Sequence, residues 1–154
     1  MNQQTYSQTS QAYTRASHTV GKTRQVVMLY DGIIRFLNQA AEAIEQKQIE
    51  KRYQKLTRAT DVITGLQASL DFKLGGQPAQ LLHDFYSSIE SRIFSLHAKP
   101  DLSVCQQLVR ELKDMRDVWD QIDRGGANEA AKTAAPLAVP VTPAELAGSV
   151  KVSA

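Results

Sequence analysis

Apolar residues recur at alternating spacings of three and four along four stretches of the chain, which is the pattern of amphipathic helices. In the first stretch they are Val26, Tyr30, Ile33, Leu37, Ala40 and Ile44. The later stretches run from Ile49 to Leu74, from Leu82 to Leu96 and from Cys105 to Ile122. Each stretch therefore predicts one helix with a narrow apolar stripe, and stripes of this kind pack together in a helical bundle.

We expect these stripes to form the core of the bundle. The residues that we assign to the core are Tyr30, Ile33, Leu37, Leu108, Leu112 and Trp119. Cys105, the only cysteine of the chain, lies on the same stripe as Leu108, where a thiol behaves as a small apolar group. A chain with one cysteine forms no internal disulfide and suits a reducing compartment.

Short polar links separate the four stretches. They are Gln-Lys-Gln at 46–48, Gly-Gly-Gln-Pro at 75–78 and Lys-Pro-Asp at 99–101. Long helices joined by short links run antiparallel to their neighbours, so the sequence predicts an all-α fold, an antiparallel up-down-up-down four-helix bundle. We expect Thr23 to cap the first helix and Asp101 to cap the fourth.

Composition divides the chain into three parts. Residues 1–21 are rich in Gln, Thr and Ser and predict a flexible N-terminal segment. Residues 22–124 contain the predicted bundle. Residues 125–154 are rich in alanine and proline, which forbids a long helix and predicts a disordered tail.

Charge and hydropathy limit the partners and the cellular location that the sequence suggests. The formal net charge of +2 is too small to indicate a nucleic acid or an anionic membrane as the partner. No stretch approaches the roughly 20 apolar residues of a membrane-spanning helix, and the N-terminus lacks the apolar run of a signal peptide. We therefore expect a cytoplasmic protein with no membrane insertion.

The predicted helices offer little catalytic chemistry. A di-iron bundle needs Glu-x-x-His pairs, and neither that motif nor a haem or zinc motif occurs, so we expect no cofactor, no metal site and no enzymatic activity. His83 and His97 both lie off the apolar stripe of the third helix. One alternative function is therefore a histidine phosphotransfer module that uses either of them.

The first helix carries more apolar residues than its core stripe needs. On a helical wheel Met28, Leu29, Gly32 and Phe36 form a second strip beside the core stripe. One interpretation is a corner helix that packs on two neighbours, which explains Leu29 and Phe36. The other is a groove for an apolar peptide, because glycine on a helix surface lets another backbone approach and methionine adapts to varied contacts.

Three stretches resemble a known family. The segment MLYDGIIRFLNQAAEAI at 28–44 resembles the signature helix of the FliS family of flagellar export chaperones. QAYTR at 11–15 resembles the N-terminal tyrosine motif of that family, and DMRDVWDQ at 114–121 resembles the end of its last helix.

The resemblance implies a chaperone that binds the disordered C-terminal region of flagellin and prevents its premature polymerisation before export. It also implies no enzymatic activity and no cofactor, with components of the export apparatus as further partners. Tyr13 would lie on a segment that competes for the groove. The residues that we assign to partner binding are Tyr13, Met28, Leu29, Asp31, Gly32 and Phe36.

The oligomeric state stays open between a monomer and a weak homodimer. A further alternative is a structural bundle that associates with itself through the second strip of the first helix.

Overall fold

The computed structural model describes residues 21–125, which form four helices and no strand. They are α1 Lys22–Glu45, α2 Ile49–Ala68, α3 Phe72–Ala98 and α4 Leu102–Arg124. The predicted all-α four-helix class is confirmed. The predictions of a flexible segment over 1–21 and a disordered tail over 125–154 lie outside the described residues, except for Gly21 and Gly125.

Contacts between α1 and α4 show that these two helices run in opposite directions. Arg24, near the start of α1, donates a hydrogen bond to Asp123, near the end of α4. Leu37, in the second half of α1, accepts a hydrogen bond through its carbonyl from the Sγ of Cys105, near the start of α4.

The other neighbours are also antiparallel. Across α2 and α3, Gln67 hydrogen-bonds to Ser87, whereas Arg52, much earlier in α2, reaches the carbonyl of His97, much later in α3. The links 46–48 and 99–101 hold only three residues each, which folds α2 back on α1 and α4 back on α3. The four helices thus alternate in direction.

The boundary between α2 and α3 differs from the prediction. We predicted the break at 75–78, but α2 ends at Ala68 and α3 begins at Phe72. The carboxylate of Asp71 explains the early start, because it accepts hydrogen bonds from the backbone of Lys73 at 2.9 Å and Leu74 at 3.0 Å.

The predicted link lies instead inside α3 as a kink. Gly76 has φ 53° and ψ −134°, a conformation that side-chain-bearing residues rarely adopt. Leu74, which we had placed on the apolar stripe of the second helix, lies before this kink and is 76% exposed. The two glycines and Pro78 thus mark a real interruption of helical geometry, but the link between α2 and α3 lies earlier, at 69–71.

The predicted caps had different outcomes. Asp101 caps α4 and accepts a hydrogen bond from the backbone of Val104 at 3.2 Å, as predicted. The prediction for Thr23 was wrong, since α1 begins at Lys22 and the capping position is Gly21, which offers no side-chain oxygen.

A pair of tyrosines lies in the core where α1 and α3 face each other. The hydroxyl of Tyr30 donates to the hydroxyl of Tyr86 at 2.9 Å, and both side chains are buried. Burial raises the pKa of Tyr86 to about 12, and burial together with Tyr86 raises the pKa of Tyr30 well above its ordinary value. Around this pair the structure buries every residue that we assigned to the core: Tyr30, Ile33, Leu37, Leu108, Leu112 and Trp119.

The raised pKa of Tyr86 predicts that the protein loses stability in alkaline solution. The folded state holds the Tyr86 proton to about pH 12, whereas the unfolded chain releases it near pH 10, so this contribution to stability is complete below pH 10 and is lost as the pH rises toward 12. We expect the free energy of unfolding to fall over that window by up to about 1.4 kcal/mol per pH unit for each buried tyrosine. Urea unfolding followed by circular dichroism at several pH values measures the slope.

Replacing Tyr86 tests whether the buried Tyr30–Tyr86 pair causes this loss of stability with pH. Tyr86→Phe should lower stability at pH 7 by about 1–3 kcal/mol, because the Tyr30 hydroxyl loses its acceptor, and should flatten the alkaline loss. Tyr53→Phe, at a side chain that is 60% exposed, is the matched control and should keep the wild-type slope. An unchanged slope in Tyr86→Phe would contradict the prediction.

Candidate partner-binding groove on α1 and α2

Helix α1 packs on α4 through a face that the sequence pattern did not identify. Val27 and Ile34 are buried, at 0% and 9% exposure, although neither belongs to the stripe that we assigned to the core. Both lie one helical turn from Asp31, which forms an ion pair with Arg116 of α4 at 2.9 Å. In the sequence, Val27 and Ile34 lie one turn before and one turn after Asp31, which would place them on one face of the helix. The charge of Asp31 between them hid this apolar face.

The second strip that we predicted on α1 lies on the opposite side, toward α2. The ring of Phe36 has the Nζ of Lys55, on α2, 5.8 Å from its centroid. Leu29 lies two turns earlier on the same face of α1, and Val62 lies two turns after Lys55 on α2. In an antiparallel pair these displacements bring Leu29 and Val62 opposite each other. Leu29, Phe36 and Val62 all pack against the core from partly buried positions.

This packing accounts for only half of the strip. The corner-helix interpretation explains Leu29 and Phe36, because α2 covers one side of each. Met28 and Gly32 lie farther from the core, and Met28 is 59% exposed. A Cβ built on Gly32 would meet no neighbouring atom of the described residues within 4 Å.

The geometry defines a shallow surface that we call the α1–α2 groove. Its members are Met28, Leu29, Gly32 and Phe36 on α1 and Val62 on α2. Partly buried apolar side chains form its floor, and the missing side chain at Gly32 leaves room for an incoming chain to approach the helix backbone. Such a surface suits an apolar helical segment that presents one or two anchors.

Asp31 lies away from this groove. Its carboxylate meets Arg116, which also contacts Asp117 at 3.3 Å and Asp120 at 3.9 Å. The hydrogen bond that Arg116 donates to the Asp31 carboxylate raises the pKa of Arg116. The structure thus gives Asp31 a partner within the chain, and its assignment to partner binding stays a prediction. Tyr13, which we also assigned to partner binding, lies outside the described residues.

An ionic cluster at the same end of the bundle fastens the start of α1 to the end of α4. Arg24 contacts Asp123 at 2.5 Å and Asp120 at 3.0 Å, and Arg124 contacts Asp120 at 2.8 Å. Desolvation by itself would raise the pKa of Asp120, but the hydrogen bond from Arg24 and the nearby arginines lower it overall. The cluster fixes the position of the first turn of α1, from which Met28 follows one turn later.

The described residues contain no arrangement suited to catalysis. Within 21–125, no group of three or more metal-binding side chains comes together. Burial raises the pKa of the Cys105 thiol to about 11, so it stays protonated at neutral pH. Burial and the charge of Arg52 lower the pKa of His97, whose ring also meets the edge of Tyr53.

No helix in the described part of the chain is both long and apolar enough to cross a membrane.

The described residues form a helical bundle, and its class is set by the comparisons. Comparison with known proteins defines the family: the sequence profile described as "Flagellar protein FliS" matches residues 2–126. The chain therefore belongs to the FliS family of flagellar secretion chaperones. The family resemblance and the absence of enzymatic activity that we inferred from the sequence are confirmed.

Relatives from distant bacteria agree with this assignment. The flagellar secretion chaperone FliS of Vibrio cholerae is 29% identical over 97 residues, which are 63% of this chain and 71% of the relative. The FliS proteins of Bacillus subtilis and Salmonella typhimurium are 26% and 28% identical over 62% and 63% of this chain, and over 70% and 73% of their own lengths.

The open surroundings of Gly32 predict how its replacement changes the stability of the protein without a partner. We expect Gly32→Ala to raise the free energy of unfolding by about 0.5–1 kcal/mol, because alanine favours the helix and the added Cβ meets no neighbour. Urea unfolding at 222 nm measures the change. Gly76→Ala is the contrasting control and should destabilise the protein, because its φ of +53° strains a side chain. Destabilisation by Gly32→Ala would show that the groove is occupied in the free protein.

Proposed function

We propose that this protein binds the disordered C-terminal region of flagellin in the α1–α2 groove and keeps it from polymerising before export. Two observations support this. The chain belongs to the FliS family, whose members above are named flagellar secretion chaperones. In the helix that carries the MLYDG motif, Met28 is exposed and the space around Gly32 is open. The surface around Gly32 is the observation that carries the proposal.

The mechanism is coupled folding and binding. Segments of flagellin form helices whose apolar faces bury against Leu29, Phe36 and Val62. Ordering these segments costs free energy that offsets part of the favourable burial, which keeps the affinity moderate. A moderate affinity suits a chaperone because the cargo must later be released to the export apparatus.

The proposal also covers where the protein acts, its oligomeric state and its second partner. The protein acts in the cytoplasm, where flagellin is made, as a monomer or weak homodimer. It needs no cofactor, and its second partner is a component of the export apparatus that receives the cargo.

Filling or charging the groove should weaken binding. Gly32→Leu places a side chain where the partner backbone would approach, and Met28→Asp puts a charge on the apolar edge. We expect each variant to raise the Kd for a flagellin C-terminal peptide at least about tenfold. Isothermal titration calorimetry measures the Kd, and circular dichroism checks that the helices are retained.

A matched control separates the groove from general effects of charge. Leu81 is 63% exposed on α3, so Leu81→Asp adds the same charge at a leucine outside the groove. It should bind like the wild type. If Gly32→Leu and Met28→Asp also bind like the wild type, the groove lies elsewhere. A concentration-dependent dimer that does not bind the peptide would favour the structural alternative.

Removal of the N-terminal segment tests the role that we assigned to Tyr13. If residues 1–20 compete with flagellin for the groove, their deletion should lower the Kd or leave it unchanged, because the competing occupant is gone. The same titration, performed with the truncated chain, measures this. A large loss of affinity would instead make the segment a direct contact of flagellin.

A further inference from the structure

The α1–α2 groove ends in a group of positive charges. The guanidinium of Arg35 lies 5.4 Å from the centroid of the Phe36 ring, and the Nζ of Lys55 lies 5.8 Å from the same centroid. Arg58 follows Lys55 by one turn on α2. Arg35 and Lys55 thus flank the end of the groove that is farther from Met28, and Arg58 lies between Lys55 and Val62 along α2.

These charges form no ion pair within the described part of the chain. Among residues 21–125, the ion pairs use Arg24, Lys51, Arg92, Arg116 and Arg124 as the cations. Arg35, Lys55 and Arg58 belong to none of them. Glu42, toward the end of α1, lies beside Lys51 at 4.0 Å, and Asp31, one turn before Arg35, pairs with Arg116.

The Phe36 ring has a cation on each of two neighbouring helices, Arg35 on α1 and Lys55 on α2. Each gains a weak attraction to the ring, and a carboxylate placed beside the ring would gain from both charges. Arg35 is exposed and Lys55 is half-buried, so an incoming carboxylate could reach both. By contrast, the Met28 end of the groove is apolar. The groove therefore changes from apolar to basic along its length.

We propose that the groove recognises an apolar segment that carries an acidic side chain at one end, with Arg35 and Lys55 as the residues that select for the acid. This inference rests on the proposed function, because it describes the segment of flagellin that the groove binds. The apolar part of the segment lies over Leu29 and Gly32, and its carboxylate lies beside the Phe36 ring. The charge fixes the direction of the segment, which an apolar surface alone would leave unspecified.

The test uses the full chain and a synthetic peptide of the flagellin C-terminal region, titrated at 50 mM and at 500 mM NaCl. We expect the double variant Arg35→Gln/Lys55→Gln to raise the Kd by about 5- to 20-fold at the lower salt. At the higher salt, the wild type and the double variant should agree within about twofold, because salt screens exposed charges.

A second double variant controls for net charge. Arg110→Gln/Lys113→Gln removes two exposed cations from α4, which lies on the other side of α1 from the groove. It should keep both the wild-type Kd and the wild-type salt dependence. Replacing the acidic residues of the peptide by their amides should weaken binding to the wild type but have little further effect on the Arg35→Gln/Lys55→Gln variant.

The outcomes separate this inference from the proposed function. If the wild type binds the peptide, and Gly32→Leu weakens binding, but the Arg35→Gln/Lys55→Gln variant binds like the wild type at 50 mM NaCl, the selection for an acid is refuted and the proposed function stands. Equal losses in the two double variants would also refute it, since net charge would then be the cause. If the wild type does not bind the peptide at either salt, both are refuted.

Discussion

Helix α1 buries side chains in the core and also against both of its neighbours, α2 and α4. The stability of the whole bundle depends on this burial. Its core stripe meets Tyr86 through Tyr30, its Val27 and Ile34 face α4, and its Phe36 faces α2. Each fully buried aliphatic or aromatic side chain contributes about 1.5–3 kcal/mol, whereas an exposed ion pair contributes at most about 1 kcal/mol. The apolar faces of α1 therefore supply most of the stability, and the ionic cluster around Asp120 mainly fixes how α1 and α4 are aligned.

The sequence predicted most of the fold because the bundle follows simple rules. Spacings of three and four identified each stripe, and short links implied antiparallel neighbours. The prediction for the second link was only partly right. Gly76 does leave helical geometry, but the link itself lies before Phe72, where the capping hydrogen bonds of Asp71 start α3 ahead of the glycines. A local pattern does not reveal which of two possible caps the chain uses.

The candidate groove could be predicted only in part, for a different reason. The wheel identified the second strip on α1, but the assignment of each member depended on where α2 and α4 lie. Leu29 and Phe36 turned out to be half covered by α2, and Asp31 turned out to face Arg116. Single-helix patterns do not contain the positions of neighbouring helices, so they could not separate packing residues from the exposed Met28 and the open position at Gly32.

The glycine at position 32 is the clearest sign that stability is not the only constraint on α1. In the middle of a helix, glycine costs about 0.5–1 kcal/mol relative to alanine, and no neighbour among the described residues requires the small side chain. A chain selected only for a stable bundle gains by replacing it. A chain that must admit another backbone there gains by keeping it. Arg35 and Lys55 lie beside the Phe36 ring, and neither forms an ion pair among the described residues, so both charges are available to a bound carboxylate. The occupant that we propose, apolar along its length and acidic at its end, would account for both features.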